Sequence, residues 1–379
     1  MPHLAERPPP SSSPPAVAPA ARALPFVLAG VLLALELGRR IFGGYVPHDF
    51  AAYLAAADTF SRGLDPYGDA IFDSSHYRGY PYIYPPASLY PLALLAHLPS
   101  ALIAALDAVA RMVIFVWSLD RLREWLRMDR ELTPLLFAGF FFTPFAFDYL
   151  TGNAETYMFF GFLAIVGLAR RPGSIASFAG GVAAGWLLCV KPMWLIPATA
   201  ALVALRGWAV LAGVLAGTAA AVAVSTADME LAKSWLERVG DVRSSIDVVS
   251  MFEHSLWLYG MAVAAWVATG LWILRVHGFG GDAWIYACTA IAIWPRSDLY
   301  SYMVVLPVLL WLWRKLGGPR ALLVSLPLIT PLPLLVAAYD RLIMLAVALV
   351  WAFLCASLVA RLLLADARMA RESTASYPD

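Results

Sequence analysis

The chain has 379 residues, of which 61% are hydrophobic and only 14% are charged, and its net charge is +1. A typical soluble domain is about half apolar and about one quarter charged, so a water-soluble core could not bury this much apolar surface. The composition therefore predicts an integral membrane protein, and the near-zero net charge gives no support for a nucleic-acid-binding protein.

The chain begins with a segment rich in proline and serine, which reads PPPSSSPP at residues 8–15. This composition offers too little apolar surface to fold, so we predict that residues 1–23 form a disordered tail. The apolar run that follows is long and has no convincing small-residue cleavage site. It therefore favours an uncleaved membrane span over a signal peptide.

Apolar stretches recur along the rest of the chain. A spanning helix needs about 20 mainly apolar residues, and candidate spans lie at 24–42, 100–119, 132–147, 154–169, 174–190, 192–206, 208–226, 254–274, 282–294, 301–314, 320–338 and 341–363. The stretch 86–98 is shorter and follows a double proline, so we interpret it as interfacial or re-entrant. The pattern predicts an all-α fold, a polytopic transmembrane bundle of about 12 spans over residues 24–364, with a tail at 365–379.

The distribution of basic residues predicts the orientation of this bundle. With a cytoplasmic N terminus, the cytoplasmic connections and the C-terminal tail carry most of the positive charge, as the positive-inside rule requires. Arg39 and Arg40, at the outer end of the first span, are exceptions. Both termini of this multi-pass cell-membrane protein would then be cytoplasmic. The long loop 43–99 and nearly every unusual polar motif would be extracytoplasmic, which indicates one functional site on that face.

Asp49 opens a predicted helix that runs from Phe50 to Ser61 in the long loop. Its carboxylate has two interpretations. It is either an N-cap that accepts hydrogen bonds from free backbone N–H groups, or a general base held at the membrane surface near a lipid headgroup. His48, the preceding residue, is either a second polar contact for a substrate or an ordinary surface residue.

The rest of the loop is rich in turn-forming residues and tyrosines. The sequence Asp65-Pro66-Tyr67-Gly68 is typical of a turn, with Asp65 as the turn former. Pro85-Pro86 predicts an extended entry into the next helix. Four further tyrosines form an interfacial aromatic belt, a surface that stacks on sugar rings, or both: Tyr77, Tyr80, Tyr82 and Tyr84.

Polar breaks between apolar stretches supply the other candidates on this face. Lys191 is either a lysine that snorkels from a helix end or a cation for a lipid phosphate. Arg296 has the same two interpretations, and its guanidinium group suits bidentate phosphate binding. Two shorter breaks occur at Gly152-Asn153 and at Glu253-His254-Ser255.

Other patterns have structural interpretations. The glycine pairs at 181 and 185 and at 213 and 217 have small-xxx-small spacing, which favours close helix packing inside the bundle over dimerisation. Glu155, just inside a span, is interpreted as a helix-end carboxylate. The three cysteines lie far apart in apolar stretches and lack metal-ligand spacing. No Gly-x-Ser-x-Gly, His-Glu-x-x-His or Walker-type motif is present, so nothing supports a hydrolase triad, a zinc protease or an ATPase.

Several motifs together point to one family: Asp49-Phe50-x-x-Tyr53, Gly63-x-x-Pro66-Tyr67, Tyr84-Pro85-Pro86, Thr151-Gly152-Asn153-Ala154, and a helix led by Gly180-Gly181-Val182 that ends in Lys191-Pro192. This set resembles the polyprenol-phosphate-mannose-dependent α-mannosyltransferases, glycosyltransferase family 87 of the GT-C superfamily. The resemblance covers most of the chain from about residue 40 to about residue 315. The chain departs from the family where Phe252-Glu253-His254-Ser255 replaces an Asn-Gln-Ser element. It also has Tyr300 where the family's Pro-x-Ser-Trp-x-His element has histidine, and Thr151-Gly152-Asn153-Ala154 is a degraded form of the family's Gly-Gln-x-Asn element.

The resemblance implies a GT-C-like fold and an inverting transferase. It would move a mannose-like hexose from a polyprenyl-phosphate-linked donor to a hydroxyl of a glycolipid or glycan acceptor on the extracytoplasmic side. Asp49 would deprotonate the acceptor, and Lys191 and Arg296 would bind the donor phosphate. The other matched positions would contact substrate: His48, Tyr53, Asp65, Tyr67, Tyr84, Asn153, Glu253, His254 and Tyr300. Family members do not rely on a nucleotide-sugar metal motif and no Asp-x-Asp occurs here, so neither a metal nor a cofactor is predicted; the predicted partners are donor, acceptor and membrane lipid.

Two other functional classes remain open. A lipid or sugar transporter, or a flippase, would also be polytopic with few intramembrane charges, but transporters often have related halves and paired interrupted helices. This chain instead has its polar motifs on one predicted face and a long first loop, which favours an enzyme. A non-catalytic relative that only binds glycolipid is the third possibility, because the C-terminal motifs differ from those of the family.

Overall fold

The computed structural model describes residues 19–68, 82–128, 142–171, 175–243, 255–295, 298–328 and 341–375. Within these ranges the protein is all-helical and contains no β-strand. In the first half of the chain the helices are α1 (Pro19–Ile41), α2 (His48–Ser61), α3 (Leu89–Leu95), α4 (Ser100–Trp125), α5 (Thr143–Thr151), α6 (Glu155–Ala169) and α7 (Ile175–Leu188).

The second half continues the helical pattern. Its helices are α8 (Leu195–Leu205), α9 (Trp208–Ala227), α10 (Met229–Arg243), α11 (Leu256–His277), α12 (Trp284–Ala287), α13 (Leu306–Leu316), α14 (Gly318–Ser325) and α15 (Arg341–Ala375). Short 3-10 helices adjoin several of them, at Pro86–Ser88, Pro192–Trp194, Cys288–Ile293, Leu299–Val305 and Leu326–Leu328.

Five segments in the described part of the chain are long and apolar enough to cross a membrane: Ser100–Trp125, Trp208–Ala227, Leu256–His277, Leu299–Leu316 and Ala346–Ala370. The prediction of a helical membrane protein is confirmed at this level. The count of about 12 spans and the GT-C-like class stay predictions. Two of the predicted spans, 132–147 and 320–338, fall largely on residues outside the described ranges.

Five apolar helical segments in the described residues are shorter than these five spans: Pro86–Leu95, Glu155–Ala169, Ile175–Leu188, Pro192–Leu205 and Trp284–Ile293. Two of them are also irregular. The segment 282–294 contains only the four-residue α12 followed by a 3-10 helix. Its residues from Trp284 to Ile293 are buried in protein, so its apolar character serves internal packing and not contact with lipid. The segment 86–98 forms only a 3-10 turn and the seven-residue α3, in accord with its interpretation as non-spanning.

Helix α6 lies at the centre of the core. Its residues after the first turn are apolar on all sides, a pattern typical of a helix surrounded by other helices. Phe159 and Phe162 are fully buried, and their rings lie 6.2 and 6.0 Å from that of Trp194, which is buried at the start of α8. The first turn of α6 is polar, so the core helix carries polar groups at one end only.

Helices α7 and α9 pack through their glycines. A Cβ atom on Gly185 would lie 2.3 Å from the Val214 carbonyl oxygen, and one on Gly217 would lie 2.1 Å from that of Val182. Only residues without a side chain allow the two backbones to approach this closely. The small-xxx-small motifs therefore serve packing inside the chain, as the sequence predicted. This contact fixes α7, whose C-terminal end leads to Lys191.

Candidate functional site

Asp49 lies in the first turn of α2 and faces another segment of the chain. The N-cap of α2 is Pro47, and no side chain caps this helix, so the N-cap interpretation of Asp49 is wrong. Its Oδ2 atom instead accepts a 2.6 Å hydrogen bond from the side-chain amide of Asn153. A tertiary donor has thus replaced the local backbone donors that the sequence pattern suggested.

Asn153 lies in the turn between α5 and α6, and this turn packs directly beneath α2. The preceding Gly152 has φ +75°, a left-handed conformation that favours glycine. A Cβ atom there would lie 2.7 Å from Cβ of Phe50 and 2.8 Å from Cβ of Pro47. Glycine therefore permits both the backbone turn and the close approach that brings Asn153 to Asp49.

Lys191 joins the same group from the far side of Asn153. Its ammonium donates to Oδ1 of Asn153 and, at 2.9 Å, to Oε1 of Glu155. The Lys191 side chain is only 11% exposed and that of Glu155 only 2%, so this is a buried ion pair and Lys191 does not snorkel. Glu155 also accepts from the Trp194 indole at 2.5 Å and from the Ser301 hydroxyl at 3.4 Å. The interpretation of Glu155 as an ordinary helix-end carboxylate is therefore incomplete.

Three tyrosines surround the polar group. The hydroxyls of Tyr53 and Tyr84 lie 2.8 Å apart, and the Tyr84 hydroxyl donates at 3.5 Å to Oδ1 of Asn153. The Lys191 ammonium lies 4.6 Å from the ring centroid of Tyr300 and 5.7 Å from that of Tyr84. Since aromatic faces attract cations, these rings help to hold the lysine in place.

We call this group the polar cluster: Asp49, Tyr53, Tyr84, Asn153, Glu155, Lys191 and Tyr300. Burial raises the pKa of the Asp49 carboxyl above its ordinary value, although the Asn153 hydrogen bond and the Lys191 charge act in the opposite direction. Burial alone would lower the pKa of the Lys191 ammonium, but the Glu155 carboxylate outweighs it and the pKa lies above its ordinary value. A proton-accepting carboxylate and a cation are therefore held on either side of the Asn153 side chain.

A cavity of about 540 Å³ opens next to the polar cluster. Tyr53 and Tyr84 belong to its wall, and Asp107 and Arg111 also line it, but most of the exposed lining surface is apolar. Apolar side chains from five helices contribute, among them Phe50 of α2, Leu92 of α3, Leu106 of α4, Met158 of α6 and Leu187 of α7. The cavity is thus large and apolar enough for a hydrocarbon chain that ends at polar groups.

Other predicted site residues lie at the edge of the cluster or elsewhere. His48 is exposed beside Asp49. Asp65 is exposed, and its carboxylate accepts from the backbone N–H of Tyr67 at 2.9 Å, which supports its turn-forming interpretation. Tyr67 is buried, and its hydroxyl donates to the Tyr84 carbonyl at 2.8 Å.

Five other residues singled out in the sequence lie outside the described residues: Arg296, Glu253, His254, Tyr77 and Tyr80.

A buried ionic network behind the cluster was missed by sequence analysis. Arg40 and Arg111 are fully buried, and both bond to Asp107. Arg111 also pairs with Asp148 at 2.7 Å, and Arg40 pairs with Glu36 at 2.8 Å. The four-residue spacing of Asp107 and Arg111 within a membrane-length helix was the available signal, because intramembrane charges are rare unless they are paired or functional.

The arrangement contains groups that could serve the transfer of a group from a lipid phosphate to an alcohol: a buried carboxylate, a cation and an apolar cavity. Among the described residues, no three histidine, cysteine or carboxylate side chains are grouped so that they could hold a metal ion. No protein-family model matches the chain. Comparison with curated proteins gives no match, and comparison with solved structures gives none either. The functional conclusion therefore depends on the residues of the site.

Proposed function

We propose that the protein is an integral-membrane glycosyltransferase that moves a mannose-like hexose from a polyprenyl-phosphate-linked donor to an acceptor hydroxyl on the extracytoplasmic face. The observation that carries the proposal is the contact between Asp49 and Lys191 through Asn153 beside an apolar cavity. The motif resemblance to the family 87 mannosyltransferases independently names the same three residues.

The proposed reaction is an inverting displacement at the anomeric carbon. Asp49 takes the proton of the acceptor hydroxyl as that oxygen bonds to the sugar carbon. The bond between this carbon and the phosphate oxygen breaks, and the polyprenyl phosphate leaves with the electron pair. The raised pKa of Asp49 makes it a better proton acceptor than an exposed aspartate.

Lys191 is the proposed partner of the donor phosphate. Among the described residues, Asn153 and Glu155 accept from two of its three N–H donors, and the third can bond to a phosphate oxygen. A fixed ammonium stabilises the charge that develops on the departing phosphate. Arg296 is proposed as a second cation from the sequence pattern.

The cavity is the proposed site of the prenyl chain. Tyr53 and Tyr84 belong both to its wall and to the polar cluster, so a chain lying there would have its phosphate end near Lys191. Placing the donor and the acceptor together would supply part of the rate through orientation.

The test is a transfer assay in membranes with radiolabelled polyprenyl-phosphate hexoses and a glycolipid acceptor. Asp49→Asn keeps the shape of the side chain and an acceptor oxygen for Asn153, so the variant should be produced at the level of the wild type. Its rate should fall roughly 10²- to 10⁴-fold, the usual contribution of a general base. Asp58→Asn is the matched control, because Asp58 lies on the same helix and its side chain is 47% exposed.

Other outcomes discriminate the alternatives. Equal transfer by wild type and Asp49→Asn would remove Asp49 as the base. Movement of a labelled polyprenyl lipid between leaflets, without sugar transfer to any acceptor, would favour a flippase. Tight glycolipid binding without either activity would favour a non-catalytic binding protein.

A further inference from the structure

Arg111 lies on α4 behind the polar cluster, where it also lines the cavity, and it makes no hydrogen bond to the Asp49 carboxylate or the Lys191 ammonium. It is fully buried, and Asp107 and Asp148 balance its charge. Charge balance explains only part of its contacts, because the guanidinium group also donates to two backbone carbonyls.

Those carbonyls belong to the turn that presents Asn153. Arg111 donates through NH2 to the carbonyl of Gly152 at 3.1 Å and through NH1 to the carbonyl of Asn153. Arg111 therefore fixes the backbone of Asn153, the residue whose side chain hydrogen-bonds to both Asp49 and Lys191. The planar guanidinium group has several donors in fixed directions, which suits it to hold two carbonyls and two carboxylates at once.

Asp148 secures the other side of the same turn. Its carboxylate accepts from the backbone N–H groups of Glu155 and Thr156, at 3.1 and 3.2 Å, and from the Thr156 hydroxyl at 2.5 Å. These N–H groups open α6, whose N-cap residue Ala154 has no capping side chain. Asp148 thus supplies the helix cap from a distance and, paired with Arg111, fixes the residues 152–156 as a unit.

We infer that Arg111 and Asp148 are positioning residues that hold the turn 152–156 so that the Asn153 side chain bridges Asp49 and Lys191. The inference rests on the proposed function for its kinetic consequences. Its structural content, that Arg111 controls the hydrogen bond which Asp49 receives, is independent of any particular substrate.

Arg40 shows what a merely structural arginine looks like in this fold. It is buried to the same degree, bonds to the same Asp107, and also donates to two backbone carbonyls. Its carbonyls belong to Ala104 and Tyr149, which lie outside the turn. Arg40→Lys is therefore a matched control for Arg111→Lys, since both variants keep a buried cation beside Asp107 and lose the guanidinium fork.

The readout is the pH at which transfer activity is lost on acidification. Asn153 donates to Asp49 and thereby lowers the pKa of that carboxyl, so loosening the turn should move this pH upward. The charge that Arg111 places near Asp49 is kept by lysine. Among the described residues, the charged or titratable groups that act on Asp49, or on which Asp49 acts, include Lys191, Asp298, Arg111, Tyr53, Tyr84 and Tyr300. Of these the two lysine variants alter only Arg111.

The expected results are specific. Arg111→Lys should lower kcat roughly 10- to 100-fold, the scale of a small misplacement of reacting groups. It should also raise the acidic midpoint, as we expect for Asn153→Ala, and the double variant should be no less active than Asn153→Ala alone. Arg40→Lys should leave the midpoint unchanged. If Arg111→Lys behaves like Arg40→Lys, or if its effect adds fully to that of Asn153→Ala, the inference is overturned.

A second measurement does not need transferase activity. Hydrophobic carbodiimides modify protonated carboxyl groups, so the pH dependence of Asp49 modification, followed by mass spectrometry of purified protein, reports the protonation of Asp49 directly. Arg111→Lys should extend modification to higher pH and Arg40→Lys should not. If this result is obtained but no polyprenyl-phosphate sugar supports transfer by the wild type, the proposed function fails and the positioning role stands. Identical profiles in all three proteins would overturn the positioning role itself.

Discussion

Lys191→Met tests how strongly the buried ion pair holds the site together. Methionine keeps an apolar stem of similar length but removes the charge that balances Glu155. The Glu155 side chain is only 2% exposed and would keep two neutral donors, Trp194 at 2.5 Å and Ser301 at 3.4 Å. Removal of one partner of a buried pair typically costs about 3–5 kcal/mol. Because these neutral donors remain, we expect a loss near the lower end, about 3 kcal/mol.

The double variant Lys191→Met/Glu155→Gln separates the charge effect from packing. It leaves no charge at position 155, and the glutamine carbonyl can still accept from Trp194. Replacement of both partners of a buried pair is often close to neutral, so the double variant should recover most of the stability, to within about 1 kcal/mol of wild type. The difference of about 2 kcal/mol between Lys191→Met and the double variant would then measure the cost of leaving the Glu155 carboxylate without its counter-charge.

The assay is denaturant unfolding of the purified protein in micelles, followed by tryptophan fluorescence, because Trp194 contacts Glu155 directly. The pKa of Lys191 lies above its ordinary value of 10.5. Its contribution is therefore fully present below that pH and is lost only as the pH rises through the higher folded-state value. The deficit of Lys191→Met should accordingly be constant across the neutral range. A double variant as unstable as Lys191→Met would refute the reasoning.

Three further predictions follow from packing, topology and the cavity. Gly185→Ala should destabilise the protein by about 1–3 kcal/mol in the same assay, because its Cβ would lie 2.3 Å from a carbonyl oxygen, whereas Gly30→Ala, with nothing within 4 Å, should be neutral or slightly stabilising. Ser100→Cys and Glu124→Cys, at opposite ends of α4, should react with impermeant thiol reagents from opposite sides of the membrane, and reaction from one side would refute the span; the native cysteines are buried and give little background. Leu92→Trp, which fills the cavity, should raise KM for long-chain donors more than for short-chain ones, and an equal effect on both would exclude the cavity as the chain site.

The sequence predicted part of the site because its residues lie in distinctive local motifs. Asp49 follows the first apolar stretch, Asn153 interrupts two others, and Lys191 precedes a proline between two more. Each motif marks a polar break in an apolar chain, and breaks at one membrane face are expected to meet. The structure brings these three residues into direct contact. Their chemical roles remain the subject of the proposed experiments.

Sequence patterns were less informative where tertiary contacts override local preference. Asp49 has the position of a helix cap but bonds across the fold, because the turn at Gly152 delivers a stronger partner. Arg40 was an exception to the positive-inside rule in the predicted topology. In the structure it is buried, and the carboxylates of Glu36 and Asp107 neutralise its charge. Pairings between distant segments leave no periodic trace in one sequence, so an isolated arginine on an apolar stretch does not identify its partner.

Helix α11 differs from the rest of the bundle in how little of it the protein covers. Only 6% of its most apolar window is buried, and Trp257 and Trp272 are exposed on its surface. In a bilayer most of this surface would lie against acyl chains, which are fluid and accept many shapes. In saturation mutagenesis, exchanges among leucine, valine and phenylalanine on α11 should therefore leave the amount of folded protein unchanged. Only charged substitutions on this helix should reduce it. Helix α6, enclosed by other helices, should tolerate almost no change of side-chain shape.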